Sequence, residues 1–132
     1  MKALTTILLM TISSFAFSME FELSSMNFKK EKVRMGILKT TDEVVKANII
    51  YMQGLGDSMM NHMPLFQKLV NDGFNVIAFD YIGQGGSTGS MNKMSIASIG
   101  DLMEKVWNHY VKDGSKKNIL GWSTGGLAAY RY

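Results

Sequence analysis

The sequence predicts an α/β fold, in which a mostly parallel sheet carries helices on both faces. Three short apolar runs indicate buried strands: residues 47–53 (ANIIYMQ), 75–80 (NVIAFD) and 117–122 (KNILGW). The segments between these runs show helical periodicity instead. Because strands and helices alternate along the chain, the crossover connections would make these strands parallel and cover the sheet on both sides.

The first 18 residues have the pattern of an export signal. Lys2 supplies a positive charge, an apolar stretch follows, and the small-x-small segment Ala16–Ser18 offers a cleavage site before Met19. The stretch is too short and too rich in Ser and Thr for a transmembrane helix. We therefore expect a signal peptide at residues 1–18 and a periplasmic or secreted mature chain with no stable membrane span. An uncleaved amphipathic N-terminus is the alternative.

An antiparallel hairpin is predicted ahead of the alternating elements. Two extended runs, 21–28 (FELSSMNF) and 32–40 (KVRMGILKT), flank the charged residues Lys29 to Glu31. Their modest alternation of apolar and polar residues is typical of strands that are buried on one face.

Two helices are predicted between the three apolar runs. The first has Pro64 in its first turn and Gly73 as its C-cap, whereas the second is capped by Ser95 or Ser98 and ends before Gly114. Each has one apolar stripe that would face the sheet. The stripes are Leu65, Phe66, Leu69 and Val70 in the first helix, and Ile99, Leu102, Met103, Val106, Trp107 and Tyr110 in the second.

Composition excludes several classes of function. Fourteen basic and 11 acidic residues give a net charge of only +3, scattered along the chain, so we expect no nucleic-acid partner. The absence of cysteine excludes disulfides and thiolate metal sites but does not fix the compartment. We expect neither a cofactor nor a metal.

The segment GWSTGG at 121–126 predicts a nucleophilic serine. Ser123 lies between Gly121 and Gly125 in G-x-S-x-G spacing, after a predicted strand and before a helix that begins in TGGLAAYRY. A sharp strand-to-helix turn brings neighbouring backbone close to the positions two residues before and after the serine, which therefore have to be glycine. Such a turn exposes the hydroxyl at a helix N-terminus, where free N–H groups stabilise an oxyanion.

A second glycine-rich loop follows the first apolar run. Gly54 and Gly56 would let the backbone approach a substrate oxygen, so that the N–H groups of Leu55 and Thr124 together form an oxyanion hole. A phosphate-binding loop is the competing use of such glycines. It is weakly supported, because neither the third glycine of the dinucleotide fingerprint nor a G-K-[ST] triplet follows.

Three blocks of the sequence resemble the α/β-hydrolase superfamily, most closely its monoacylglycerol lipase, lysophospholipase and serine aminopeptidase-like branch. That branch has His-Gly-x-Gly, then Asp-x-x-Gly-x-Gly-x-Ser, then Gly-x-Ser-x-Gly. This chain has QGLG at 53–56, DYIGQGGS at 80–87 and GWSTG at 121–125, and the resemblance covers roughly residues 47–132. Gln53 and Gln84 replace usual histidines and Ile82 a usual arginine, which alters the polar network that holds the loops.

The resemblance implies a triad in the chain order serine, acid, histidine. No carboxylate or histidine follows Ser123, and both histidines of the chain, His62 and His109, precede it and are expected to be surface or helix-fringe residues. We therefore expect residues 19–132 to be a partial α/β-hydrolase domain, with the acid, the base and further strands beyond Tyr132. Such a chain would be inactive alone, and its strand at 117–122 would be an unprotected edge.

The expected activity is acyl transfer from a small carboxylic ester, with a serine aminopeptidase-like peptidase of the same fold as an alternative. A non-catalytic α/β binding module, which needs no acid or base, is a second alternative. A third is a Cu(I) site formed by the thioethers and imidazole of MMNHM at 59–63. Methionine is abundant in this chain, however, with 12 among 132 residues, and it commonly fills cores or lines acyl pockets.

Overall fold

The computed structural model describes residues 20–132, so the predicted signal peptide at 1–18 lies outside the described residues. Within them, five strands form one sheet and three α-helices pack on it. The elements are β1 (Glu20–Phe28), β2 (Glu31–Lys39), β3 (Ala47–Met52), α1 (Met63–Asn71), β4 (Phe74–Phe79), α2 (Ile96–Tyr110), β5 (Asn118–Gly121) and α3 (Thr124–Arg131). Short 3₁₀ turns at Met59–His62 and Met91–Lys93 precede α1 and α2.

The sheet has the strand order β1-β2-β4-β3-β5. Strands β4, β3 and β5 are parallel, and the predicted hairpin β1-β2 joins them through an antiparallel pairing of β2 with β4. The predicted α/β class, with its N-terminal antiparallel hairpin, is therefore confirmed. The hairpin closes through Lys29 and Lys30, whose φ values of 48° and 65° suit the tight turns that match the twist of a hairpin.

Helices cover both faces of the sheet, as the sequence predicts. On one face α1 packs over a core formed by Leu38, Tyr51, Met59, Phe66, Val70, Val76 and Ala78. On the other face α2 and α3 cover a larger core that includes Val33, Ile50, Ile77, Phe79, Leu102, Val106 and Ala128. This division leaves the carboxyl ends of β3, β4 and β5 free to carry loops.

One expectation about burial is wrong. Leu65, assigned to the apolar stripe of α1, is 38% exposed, because Phe66 and Val70 are the residues of that helix that point into the core. The expectation that the run at 117–122 is an unprotected edge in this chain is confirmed. Within the described residues β5 pairs only with β3, and Leu120 is left 37% exposed.

The start of α2 satisfies its backbone donors by a capping box. The Ser95 hydroxyl accepts a hydrogen bond from the Ser98 N–H, and the Ser98 hydroxyl accepts one from the Ser95 N–H. Ser95 is therefore the N-cap, and Val111 is the C-cap, three residues before Gly114. None of the helices in residues 20–132 combines the length and the hydropathy needed to cross a bilayer.

Candidate active site

The site lies where the loops after β3 and β5 meet. Within the sheet, β4 and β5 lie on opposite sides of β3. The chain therefore leaves β3 in one direction to form β4 and then returns past β3 in the opposite direction to form β5. In open α/β sheets, a reversal of this kind opens a crevice at the carboxyl ends of the strands. The two loops are joined directly, since the Trp122 N–H donates a 2.9 Å hydrogen bond to the Met52 carbonyl.

Ser123 occupies a strained turn between β5 and α3. Its φ of 53° and ψ of −119° lie in a region that non-glycine residues rarely adopt, and its side chain is exposed. The Ser123 carbonyl accepts a 3.0 Å bond from the Leu127 N–H, which starts α3 immediately after the turn. The strain therefore falls on the one residue whose hydroxyl the turn presents.

The two glycines that flank this turn are required by close backbone approach. A Cβ on Gly121 would lie 2.6 Å from the Gly125 carbonyl oxygen, and one on Gly125 would lie 2.5 Å from the Met52 carbonyl carbon. Real Cβ atoms do not approach backbone this closely. The steric reason for the G-x-S-x-G spacing is thus present in the structure.

The loop after β3 brings Gly54 beside Ser123. A Cβ built on Gly54 would lie 3.4 Å from Ser123 Cβ and 3.8 Å from Ser123 Oγ. Leu55 follows with its side chain exposed, and Gly56 has a φ of 77°. The sequence-predicted residues 54–56, 121 and 123–125 are therefore brought together at one edge of the sheet.

The backbone N–H groups around Ser123 differ in whether they have a hydrogen-bond acceptor. The Gly56 N–H donates to the side-chain carbonyl of Gln84. The N–H groups of Leu55 and Thr124 have no acceptor within residues 20–132. They are the two donors that the sequence predicts for an oxyanion hole.

A buried carboxylate, Asp80, holds the surrounding loops. Its Oδ1 accepts from the Met59 N–H at 2.8 Å and from the Gln53 side-chain amide at 3.3 Å. Its Oδ2 accepts from the Gly86 N–H at 2.9 Å and from Arg34 Nε at 2.7 Å. Since Asp80 is fully buried and carries these bonds on both oxygens, it joins the loops after β3 and β4 to strand β2.

Of the three residues that depart from the pattern of the resembled family, Gln53 and Gln84 lie in or beside this network and Ile82 does not. Gln53 and Gln84 are both buried, and they contact Asp80 and the Gly56 N–H respectively. Gln53 Oε1 and Gln84 Nε2 have no partner within the described residues. Ile82 is fully buried in the core beneath α2.

A chain of side-chain hydrogen bonds also links the loop to β3. His62 Nε2 lies 2.7 Å from Asp57 Oδ2, and His62 Nδ1 lies 3.0 Å from the Tyr51 hydroxyl. Hydrogen bonds from the Asn61 side chain and the Ser58 N–H, joined by the contact with His62, lower the pKa of Asp57. Because Asp57 is therefore a carboxylate that only accepts, the proton in its hydrogen bond with His62 is on Nε2.

The two histidines of the chain differ in exposure and in their contacts. Sequence reasoning assigned both to the surface or a helix fringe, but the His62 side chain is only 20% exposed and both of its ring nitrogens are engaged. The partners of these two nitrogens are Tyr51 and Asp57, and not Ser123. His109 is exposed near the end of α2, as expected.

An open apolar groove of about 450 Å³ adjoins the turn on the side of α1. It is lined by Tyr51, His62, Leu65, Leu120, Gly121 and Trp122. Trp122 is 64% exposed, which leaves a large apolar side chain next to the candidate nucleophile. Sequence reasoning did not identify the groove, because its residues come from three separate segments.

Two observations concern metals. Residues 20–132 contain no cluster of three or more His, Cys, Asp or Glu side chains able to hold an ion. In the segment MMNHM, Met59 is fully buried in the core beneath α1, Met63 packs against that core and Met60 is exposed. Met59 thus serves as core filler.

Comparison with protein families gives one match, described as alpha/beta hydrolase fold, over residues 47–132. Among solved structures, an esterase from Pyrococcus furiosus is 24% identical, with a TM-score of 0.67 over 86% of this chain and 44% of that chain. A soluble variant of monoglyceride lipase from Saccharomyces cerevisiae, in complex with a substrate analogue, is 20% identical. Its TM-score is 0.70, over 84% of this chain and 39% of that chain.

A thioesterase domain from the curacin biosynthetic pathway has a TM-score of 0.70 at 17% identity, over 85% of this chain and 40% of that chain. At such identities the similarities show a shared fold. The chain spans less than half the length of each of these structures. No curated protein sequence matches it significantly.

Proposed function

Because the chain belongs to the α/β-hydrolase fold family, we propose that it carries the nucleophile and the oxyanion hole of a serine hydrolase. The observation that supports this most directly is the strained turn at Ser123, with the glycine loop of β3 packed against it. A strained residue with an exposed hydroxyl is the arrangement that a nucleophile elbow requires.

The proposed reaction is acyl transfer. Ser123 Oγ attacks the carbonyl carbon of an ester while a base removes its proton, and the Leu55 and Thr124 N–H groups stabilise the negative charge that develops on the carbonyl oxygen. Collapse of the tetrahedral intermediate releases the alcohol and leaves an acyl-serine. Water then attacks this acyl group, which releases the carboxylic acid and restores the serine.

We propose that the base and its carboxylate partner come from residues of the whole protein other than 20–132. Both ring nitrogens of His62 are already bonded, and His109 lies on α2. The chain also spans less than half of the similar structures. The 132-residue chain alone is therefore proposed to have essentially no turnover.

A small carboxylic ester is the proposed substrate class. The apolar surface beside the turn, including Leu55 and Trp122, favours an acyl or alkyl group over a charged one. The similar structures include, by their names, an esterase, a monoglyceride lipase and a thioesterase. A peptide substrate is the competing proposal within the same fold.

Ester turnover tests this proposal. The 132-residue chain, a version extended to the complete natural protein, and Ser123→Ala in the extended version are assayed on a short-chain aryl ester and a matched aminoacyl arylamide. Turnover of the ester by the extended protein alone supports the proposal, and preference for the arylamide would indicate a peptidase. Turnover by the short chain that Ser123→Ala abolishes would show that its own residues or a partner chain supply the base.

We also propose that the protein is exported, with cleavage before Met19. The charge, apolar stretch and small residues of positions 1–18 support this. Mass spectrometry of protein recovered from the producing cell tests it, and retention of residues 1–18 would contradict it.

A further inference from the structure

Two glycines make the oxyanion loop, residues 53–57, intrinsically flexible. Gly54 and Gly56 allow many backbone conformations, yet an oxyanion donor acts only when it is held in place before the reaction. Something must therefore fix the Leu55 N–H between them. The end of the loop near β3 is fixed by a 2.6 Å hydrogen bond from the Tyr81 hydroxyl to the Gln53 carbonyl.

At the far end of the loop the Gly56 N–H donates to the Gln84 side chain, and Asp57 provides a second anchor. Asp57 lies at that end, and its carboxylate accepts a hydrogen bond from His62 Nε2. His62 in turn binds the hydroxyl of Tyr51, which stands on β3 and is 2% exposed. The Tyr51 ring packs edge-on against Phe66 of α1, with centroids 5.1 Å apart. The bonds therefore run from the far end of the loop back to the strand on which the loop begins.

We propose that Asp57, His62 and Tyr51 are positioning residues that hold the oxyanion loop for the proposed hydrolysis. This inference rests on the proposed function and adds to it three residues that act through the loop. The chain of bonds closes residues 51–62 into a ring, which restricts the position of the Leu55 N–H, one residue after the Gly54 that lies beside Ser123.

The arrangement specifies one tautomer of His62. Because the Asp57 carboxylate only accepts, Nε2 carries a proton, and in the neutral ring Nδ1 is then the acceptor for the Tyr51 hydroxyl. Nitrogen-15 NMR of the imidazole at neutral pH reads this tautomer directly, and exposed His109 serves as an internal reference. A dominant Nε2–H form is expected, with an Nδ1 resonance shifted from that of His109 by the hydrogen bond with the Tyr51 hydroxyl. A dominant Nδ1–H form would overturn the inference, and this readout does not depend on activity.

Kinetics of the complete protein test the positioning role. Tyr51→Phe removes one oxygen and keeps the ring that packs on Phe66, so we expect kcat to fall about tenfold with KM unchanged, as for an interaction made only in the transition state. Asp57→Ala should show a similar loss. Asp57→Asn should recover most of it, because an amide oxygen still accepts from Nε2–H. Exposed Met60→Ala is the matched control and should change neither constant.

The outcomes separate this inference from the proposed function. Ester turnover that Ser123→Ala abolishes but Tyr51→Phe and Asp57→Ala leave within twofold would overturn the positioning role alone. Turnover that Ser123→Ala leaves intact would overturn the proposed function. Should Asp57→Ala fail to fold, the Tyr51→Phe kinetics and the His62 tautomer decide.

Discussion

Arg34 and Asp80, 46 residues apart, form an ion pair between β2 and the end of β4. Two guanidinium nitrogens lie 2.7 and 2.6 Å from the same carboxylate oxygen, Oδ2. The other oxygen of Asp80 receives the Met59 N–H and the Gln53 amide. The pair therefore supports the loop that positions the candidate oxyanion donors as well as joining two strands.

Breaking this pair is expected to destabilise the fold. Asp80 is fully buried and the Arg34 side chain is 30% exposed, so Arg34→Met leaves a buried carboxylate without its cation. We expect a loss of about 3 kcal/mol in the free energy of unfolding, near the lower end for broken buried pairs because Arg34 is partly solvated. Urea unfolding measures it.

An exposed pair provides the control. Lys39 and Glu22 lie 3.3 Å apart with side chains about half exposed, so Lys39→Met should cost less than about 1 kcal/mol. Equal losses for Arg34→Met and Lys39→Met would contradict the role assigned to the Asp80 network.

A methyl group at Gly125 is expected to disrupt the turn at Ser123. Its Cβ would collide with the carbonyl groups of Met52 and Gln53, which are backbone and cannot swing away. We expect Gly125→Ala to cost roughly 3 kcal/mol, the upper part of the range for overpacking, with loss of the Ser123 geometry. Thermal unfolding and a crystal structure of the variant check this.

Gly100→Ala, in α2, is the matched control, because the added methyl group meets no backbone there. The nearest atom to the added Cβ, in Tyr132, lies at an ordinary 3.6 Å, so the higher helix propensity of alanine should stabilise α2 by up to about 1 kcal/mol. Equal effects of Gly125→Ala and Gly100→Ala on the free energy of unfolding would contradict the close packing of α3 against β3.

The local features of this fold follow from sequence because they depend on neighbouring residues. The glycines at 121 and 125 and the capping pair Ser95 and Ser98 are recognised from spacing alone. The hairpin and the alternation of strands and helices are predicted for the same reason.

Contacts between distant segments are not visible in spacing. The motif at 80–87 lacks its usual arginine, and nothing in the sequence indicates that Arg34 of β2 reaches Asp80. His62 reads as a surface residue until the fold places Tyr51 beside it. Leu65 has the spacing of a core residue, but the groove leaves it partly exposed.

Alkaline pH should destabilise the protein in a defined window. Burial, and secondarily the charge of Asp57, raises the pKa of Tyr51 from 10.0 to about 12. The folded state thus holds this proton more tightly than the unfolded chain, so the associated stability is complete below pH 10 and is lost as the pH rises toward about 12.

Tyr51→Phe removes this contribution. The free energy of unfolding of the variant, measured by urea unfolding at pH 9 to 12, should fall less steeply across the window than that of the unmodified protein. The remaining slope reflects other tyrosines, among them Tyr81, whose pKa is also raised by burial. Identical slopes for the two proteins would show that Tyr51 titrates normally.

Covalent labelling tests the central claim that Ser123 is the nucleophile. The complete protein is treated with a fluorophosphonate, digested and mapped by mass spectrometry, with Ser123→Ala as control. The strained turn and the two free N–H groups predict a single stoichiometric adduct on Ser123, absent in the variant. An adduct on another residue, or equal labelling of Ser123→Ala, would contradict the account.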